Sequence, residues 1–96
     1  MNRKEILNAA ETCVCGHREE DYGSPEDSFG LIAELWTSYL KRACVPPGAD
    51  VDVSARDVAM LMALLKIARV AGGRGTVDCF VDLAGYAACG GEVAGV

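Results

Sequence analysis

Aromatic residues are scarce in this chain, six in 96, and histidine occurs only once. A core with so few rings has to be built from Ala, Val, Leu, Ile and Met, and a site built on paired histidines is excluded. Basic residues are outnumbered, nine against fourteen acidic, for a net charge of −5. That sign is wrong for a broad phosphate-contacting surface, so nucleic acid is not expected as a partner. Any anionic ligand would be small and met by a few focused cations. No C-x-x-C pair occurs among Cys13, Cys15, Cys44, Cys79 and Cys89, so the thiols form no zinc pattern. No stretch approaches the roughly 20 apolar residues of a membrane span, and the opening "MNRKEILNAAE" has no apolar signal region. The expectation is a protein with no membrane partner and reduced thiols, in the cytoplasm.

Hydrophobic residues make up 51% of the sequence, and 96 residues suffice for one core. A single helical domain over 1–96 is expected. Domains this small and this poor in large side chains are marginal alone, which favours a homo-oligomer.

Four segments carry helical patterning. Residues 3 to 14 place Ile6, Leu7, Ala10 and Val14 at helical spacing, with Gly16 as the stop. Ser24-Pro25-Glu26-Asp27 is a start signal: a side-chain cap, a proline at the first helical position and an acid at the third. From it Phe29, Ile32, Ala33, Trp36, Tyr39, Leu40 and Ala43 form an apolar stripe, and Glu34 falls in the polar one. "CVPPGADVDV" breaks the pattern and reads as a surface loop. Ser54 to Asp57 repeats the cap-plus-acid arrangement and opens "VAMLMALLKIARVAG", whose apolar residues point in every direction, as in a central helix. After "GGRG", Thr76 is placed to cap a last helix that weakens at Gly90-Gly91. With no alternating strand pattern, the fold class is all-α: a small four-helix, bundle-like domain.

Two clusters need more than helix physics. Lys66 and Arg69 lie three apart, on one side of a helix otherwise without a polar face. They either snorkel to solvent near the helix end or meet a buried carboxylate or a phosphate. Asp78 and Asp82 share one face of the last helix with Gly85 and Cys89, and small residues there indicate close approach by a helix or a ligand. A structural salt bridge and a functional site both fit this pair. The cysteines, with no basic neighbour to lower their pKa, are given no chemistry, and His17 is read as a loop residue.

The segments "HREEDYGSPEDSF", "IAELWTSYL", "DVAMLMALLKIAR" and "DCFVDLAGYAACGGE" together resemble a family of small bacteriophage and prophage proteins. Its R-x-x-D-Y-G turn falls on Arg18, Asp21, Tyr22 and Gly23, its K-I-A-R helix on Lys66 to Arg69, and its D-x-x-x-D-x-A-G-Y helix on Asp78 to Tyr86. More distantly, the chain is similar to phage nucleotide-modification-associated domains and to MazG-like nucleotide pyrophosphohydrolases. That likeness implies a small phosphorylated ligand met by Arg18, Asp21, Tyr22, Lys66 and Arg69, with magnesium held by Asp78, Asp82 and Glu34. The chain lacks the E-x-x-E helix of those enzymes, and its two aspartates are four apart rather than three. Three functions follow: a magnesium-dependent pyrophosphohydrolase, a non-catalytic binder that sequesters a nucleotide signal, or a structural helical oligomer in which the charged residues form an internal ion-pair network.

Overall fold

The computed structural model describes residues 1–96, except that the side chains of His17 and Arg18 lie outside the described residues. The chain is all-α: α1 (Arg3–Thr12), a π-helical turn (Cys13–His17), a short α2 (Arg18–Tyr22), α3 (Pro25–Ala43), α4 (Ala55–Ala71) and α5 (Val77–Ala94). α1, α3, α4 and α5 are the four long helices that pack together.

The starts of α1, α3 and α4 each follow from a short polar side chain in extended backbone. The Asn2 carboxamide accepts from the Glu5 N–H at 2.9 Å, and Ser24 Oγ accepts from the Asp27 N–H at 3.3 Å. At α4 the box is reciprocal: Ser54 Oγ accepts from the Asp57 N–H at 3.1 Å, and the Asp57 carboxylate accepts from the Ser54 N–H at 3.0 Å. These contacts, the Ser54 N–H first and its hydroxyl second, hold the Asp57 carboxyl below its ordinary 3.8. A depressed carboxyl contributes stability above its unfolded value and loses it as pH falls through the folded one. Asp57→Ala is therefore expected to cost roughly 0.5–1 kcal/mol near neutrality, a figure kept small by solvent screening. The gap between variant and wild type should narrow below pH 3.8, as read by urea unfolding at several pH values.

Three expectations about helix ends are corrected. The first segment does not stop at Gly16; the helical path continues through the π turn and α2 to Tyr22. The break falls at Gly23, whose left-handed φ of 83° no β-carbon favours and whose N–H still donates to the Glu19 carbonyl. Thr76 is the cap residue of α5 by position, but its side chain makes no capping hydrogen bond. Nor does α5 weaken at Gly90-Gly91: it runs to Ala94 and ends on Gly95 at φ 76°. Packing offsets the helix cost of Gly90, because a β-carbon there would sit 3.0 Å from Met60 Cε and 3.1 Å from Ala59 Cβ.

The helices form two layers. α4 and α5, joined by the short 72–76 connection, make an antiparallel hairpin and pack most extensively against each other. α1 lies on α5 and α3 on α4. The α3–α4 core centres on Val58, which is fully buried, with Ala33 and Val53, flanked by Phe29, Ile32, Trp36, Leu40 and Met62. The loop after α3 is tied down by one side chain: Thr37 Oγ1 accepts from the Val53 N–H at 2.9 Å and donates to the Val53 carbonyl at 3.4 Å. Cys79 and Cys89 are buried as small core residues.

Two burial expectations also fail. Tyr39, assigned to the core stripe, is 69% exposed, because α3 turns only its Phe29–Ile32–Ala33–Trp36–Leu40 side to α4. α4 is not central either. α3 and α5 cover one side of it, while Met60, Leu61, Leu64 and Ile67 stay exposed on the other.

Candidate functional site

A cleft of about 250 Å3 opens between the π turn with α2 on one side and α3 on the other, and is floored by α5. α2 contributes Glu19 and Tyr22, α3 contributes Phe29 and Ile32, and α5 contributes Asp82 and Tyr86. Local sequence explains why these meet. Gly23 turns the chain between α2 and α3, so Tyr22 and Phe29 fall on adjoining walls, and the spacing of four puts Asp82 and Tyr86 on one face of α5. Gly85 stands between them. A β-carbon on it would come within 2.9 Å of Val14 Cγ1, so the glycine lets the π turn close one end of the cleft.

The Phe29 and Tyr86 rings stand 6.3 Å apart between centroids at a tilt of 36°, a favourable aromatic pairing inside the cleft wall. Tyr22 is largely exposed at the rim. Most of the lining is apolar, and among the described residues its charged members, Glu19 and Asp82, are both acids.

Beside the floor, Lys66 Nζ reaches Asp82 Oδ2 at 2.9 Å. The two side chains are 12% and 21% exposed, which makes this the least solvated ion pair among those of the described residues. Lys66 thus meets a carboxylate of its own chain. Of the other expected residues, Asp21, Arg69, Asp78 and Glu34 are all exposed and none of them lines the cleft. The Arg18 expectation falls on a side chain outside the described residues, as does that for His17.

Magnesium would need converging carboxylates. Asp82 is held by Lys66, Asp78 lies a turn away on the exposed side, and Glu34 projects from the polar side of α3. Among the described residues no three His, Cys, Asp or Glu side chains come together in a metal-holding group. The proposed set does not fit a magnesium site, and no metal-dependent step is assigned to it.

Sequence reasoning missed Glu19 and did not join Phe29 to Tyr86. Helical spacing carried the signal: Tyr86 is four residues after Asp82, and Glu19 three before Tyr22.

No solved structure matches this chain. Two curated relatives do: the Gene 55 protein of Mycobacterium phage D29 is 41% identical over 86 residues, covering 90% of this chain and 51% of the relative. The Gene 55 protein of Mycobacterium phage L5 is 42% identical over 82 residues, covering 85% of this chain and 47% of the relative. The chain therefore spans about half the length of the curated relatives it matches. Among the described residues no helix is long and apolar enough to cross a membrane. The family model described as "Domain of unknown function (DUF6378)" matches residues 5–94, and the chain belongs to that family.

Proposed function

We propose that the cleft binds the nucleoside end of a nucleotide or related phosphorylated ligand, and that the protein sequesters this ligand rather than hydrolysing it. The observation that carries the reading is an apolar cleft walled by the Tyr22, Phe29 and Tyr86 rings, whose charged lining among the described residues consists of the Glu19 and Asp82 carboxylates. Aromatic rings stack on any base, and the Glu19 and Asp82 carboxylates accept hydrogen bonds from the exocyclic amines and ring N–H groups of a base. The Glu19 carboxylate disfavours phosphate while the charge of Asp82 is already met by Lys66, so the phosphates are directed to the open mouth of the cleft. Sequestration is favoured over MazG-like hydrolysis because Asp78, Asp82 and Glu34 do not converge. A homo-oligomer is part of the proposal, since the core of this small domain rests mainly on Ala, Val and Cys side chains.

A purely structural role is the second reading. The Lys66–Asp82 pair favours it, because the cation expected to meet a phosphate is already satisfied within the chain.

Thermal shift with a panel of nucleosides and nucleotides separates these. Nucleosides and nucleotides should raise Tm without magnesium, by the equivalent of about 2.7 kcal/mol at a hundredfold excess over Kd, and inorganic triphosphate should not. Tyr22→Ala should weaken binding roughly tenfold or more, while the ligand-free stability of this exposed position moves by no more than about 0.5 kcal/mol. If no compound on the panel shifts Tm, the ligand reading is wrong and the structural one stands. Magnesium-dependent pyrophosphate release would restore the hydrolase reading instead.

A further inference from the structure

α4 and α5 each leave one side uncovered, and the two bare sides adjoin. With successive residues turned by about 100°, the exposed side of α4 carries Met60, Leu61, Leu64 and Ile67, and that of α5 carries Val77 and Phe80. Ala68 and Ala71 on α4, and Ala87 and Ala88 on α5, extend these sides and are exposed too. The covered side of each helix lies at a similar angle from its hairpin partner: α3 reaches α4 at Val58, and α1 with the π turn reaches α5 at Gly85. In an antiparallel pair these equal angular offsets put both coverings on one face of the hairpin and both bare stripes on the other. The Arg56–Asp57 pair in the first turn of α4 lies at this second face, and no other charged residue of the two helices falls on it. The charges of the two helices, Lys66, Asp78, Asp82 and Glu92 among them, fall on the remaining arcs.

The chain as a whole exposes more surface than its mass requires, and this bare face carries part of that surface. The chain exposes 6645 Å2, whereas a compact monomer of 10.1 kDa exposes about 5,300 Å2. The excess, about 1,350 Å2 over the whole chain, is well above the roughly 800 Å2 that each partner buries in a standard protein interface. The radius of gyration tells the same story, 14.9 Å against about 12.5 Å for a compact domain of this length. Such an excess is what half of a shared core looks like when separated from its other half.

We infer that this face docks on the same face of a second copy of the chain, so that two α4–α5 hairpins stack across a two-fold axis into an intermolecular four-helix core. Apart from the Arg56–Asp57 pair at one end, the face has no charge pattern to select a different partner, and a two-fold contact needs only self-complementarity. Met60, Leu64, Ile67 and Ala71 recur at spacings of four, three and four, the period of a helix–helix seam. In this dimer the clefts, on the opposite face of each hairpin, stay open to solvent.

The inference rests on the homo-oligomer proposal and locates its interface; sedimentation velocity with static light scattering of the 96-residue chain tests the two separately. The expected mass at micromolar concentration is twice 10.1 kDa. Leu64→Glu on α4 and Phe80→Glu on α5 should each raise the dimer dissociation constant about 100-fold or more, because each carries a charge into an apolar contact. Both positions are exposed in the monomer, so helical circular dichroism should be retained. Leu35→Glu, on the exposed side of α3, should leave the dimer intact. A monomeric wild type overturns the oligomer proposal and this inference together, and it is the result expected if the segment that the longer relatives carry is the natural cover. A wild-type dimer that survives both glutamates, or that Leu35→Glu dissociates, overturns the inference alone.

Discussion

Asp82→Leu is expected to lower the unfolding free energy by about 2 kcal/mol and Tm by roughly 10 °C, the largest loss from any single charge in the molecule. The size follows from burial. A fully exposed pair is worth about 0–1 kcal/mol and breaking a fully buried one costs about 3–5 kcal/mol. With Lys66 at 12% exposure and Asp82 at 21%, this pair belongs between those limits. Leucine fills the volume but leaves the Lys66 ammonium held at the α4–α5 contact without the carboxylate 2.9 Å away. Lys66→Met alone and Lys66→Met/Asp82→Leu complete a double-mutant cycle by urea unfolding. The coupling energy should be about 1–2 kcal/mol. A coupling below about 0.5 kcal/mol would show that the two groups contribute independently and that the ion pair is incidental to stability. Because Asp82 also lines the cleft, Lys66→Met with intact nucleoside binding would separate holding the fold from holding the ligand.

Gly90→Leu should be the most damaging apolar change, about 3 kcal/mol and upward of 10 °C in Tm. α4 and α5 approach so closely that even a methyl group on Gly90 meets Ala59 Cβ at 3.1 Å, and that atom has no rotamer by which to yield. Met60 Cε, at 3.0 Å, is the end of a flexible chain and can move. Gly90→Ala should therefore come out near neutral, its helix gain of about 1 kcal/mol offset by the Ala59 contact. The neighbouring glycine is the control. A β-carbon on Gly91 meets nothing within 4 Å, so Gly91→Ala should stabilise α5 by up to about 1 kcal/mol. Differential scanning calorimetry of the three variants ranks them, and a Gly90→Leu protein as stable as Gly91→Ala would mean that the α4–α5 approach is looser than described.

What could be read from residues alone was what local chemistry decides. The Ser24 and Ser54 caps, the proline at the start of α3, its end at Ala43 and the all-α class are properties of a few neighbouring residues, and they appear in the structure as the sequence implies. Burial was less legible. An apolar residue in every direction on α4 is equally compatible with a helix surrounded by its own chain and one half-covered and half-bare, and periodicity cannot separate these cases. Gly16 and Gly23 look alike as stop signals, and only the tertiary path shows that the left-handed turn falls at the second. Thr37 spans sixteen positions to fasten Val53, a partner that no local pattern announces. The site was legible in part at its floor: the small-residue face of α5 was on the sequence, and the meeting of Lys66 with a carboxylate was one of the alternatives its spacing left open. Its walls were not, because Phe29 served equally well as a core residue, and its pairing with Tyr86 depends on how α3 lies across α5.

The π turn at Cys13–His17 also constrains the chain as a ruler does. A π turn is an α-helix with one residue too many, so whatever follows it is rotated by about 100° and advanced by about 1.5 Å relative to an uninterrupted helix. Glu19 and Tyr22 reach the cleft because of that rotation. Shortening the turn by one residue would leave composition and net charge almost untouched and restore a regular helix, yet it would swing both side chains off the cleft wall. In the segment before Gly23, the number of residues therefore sets which side chains face the cleft.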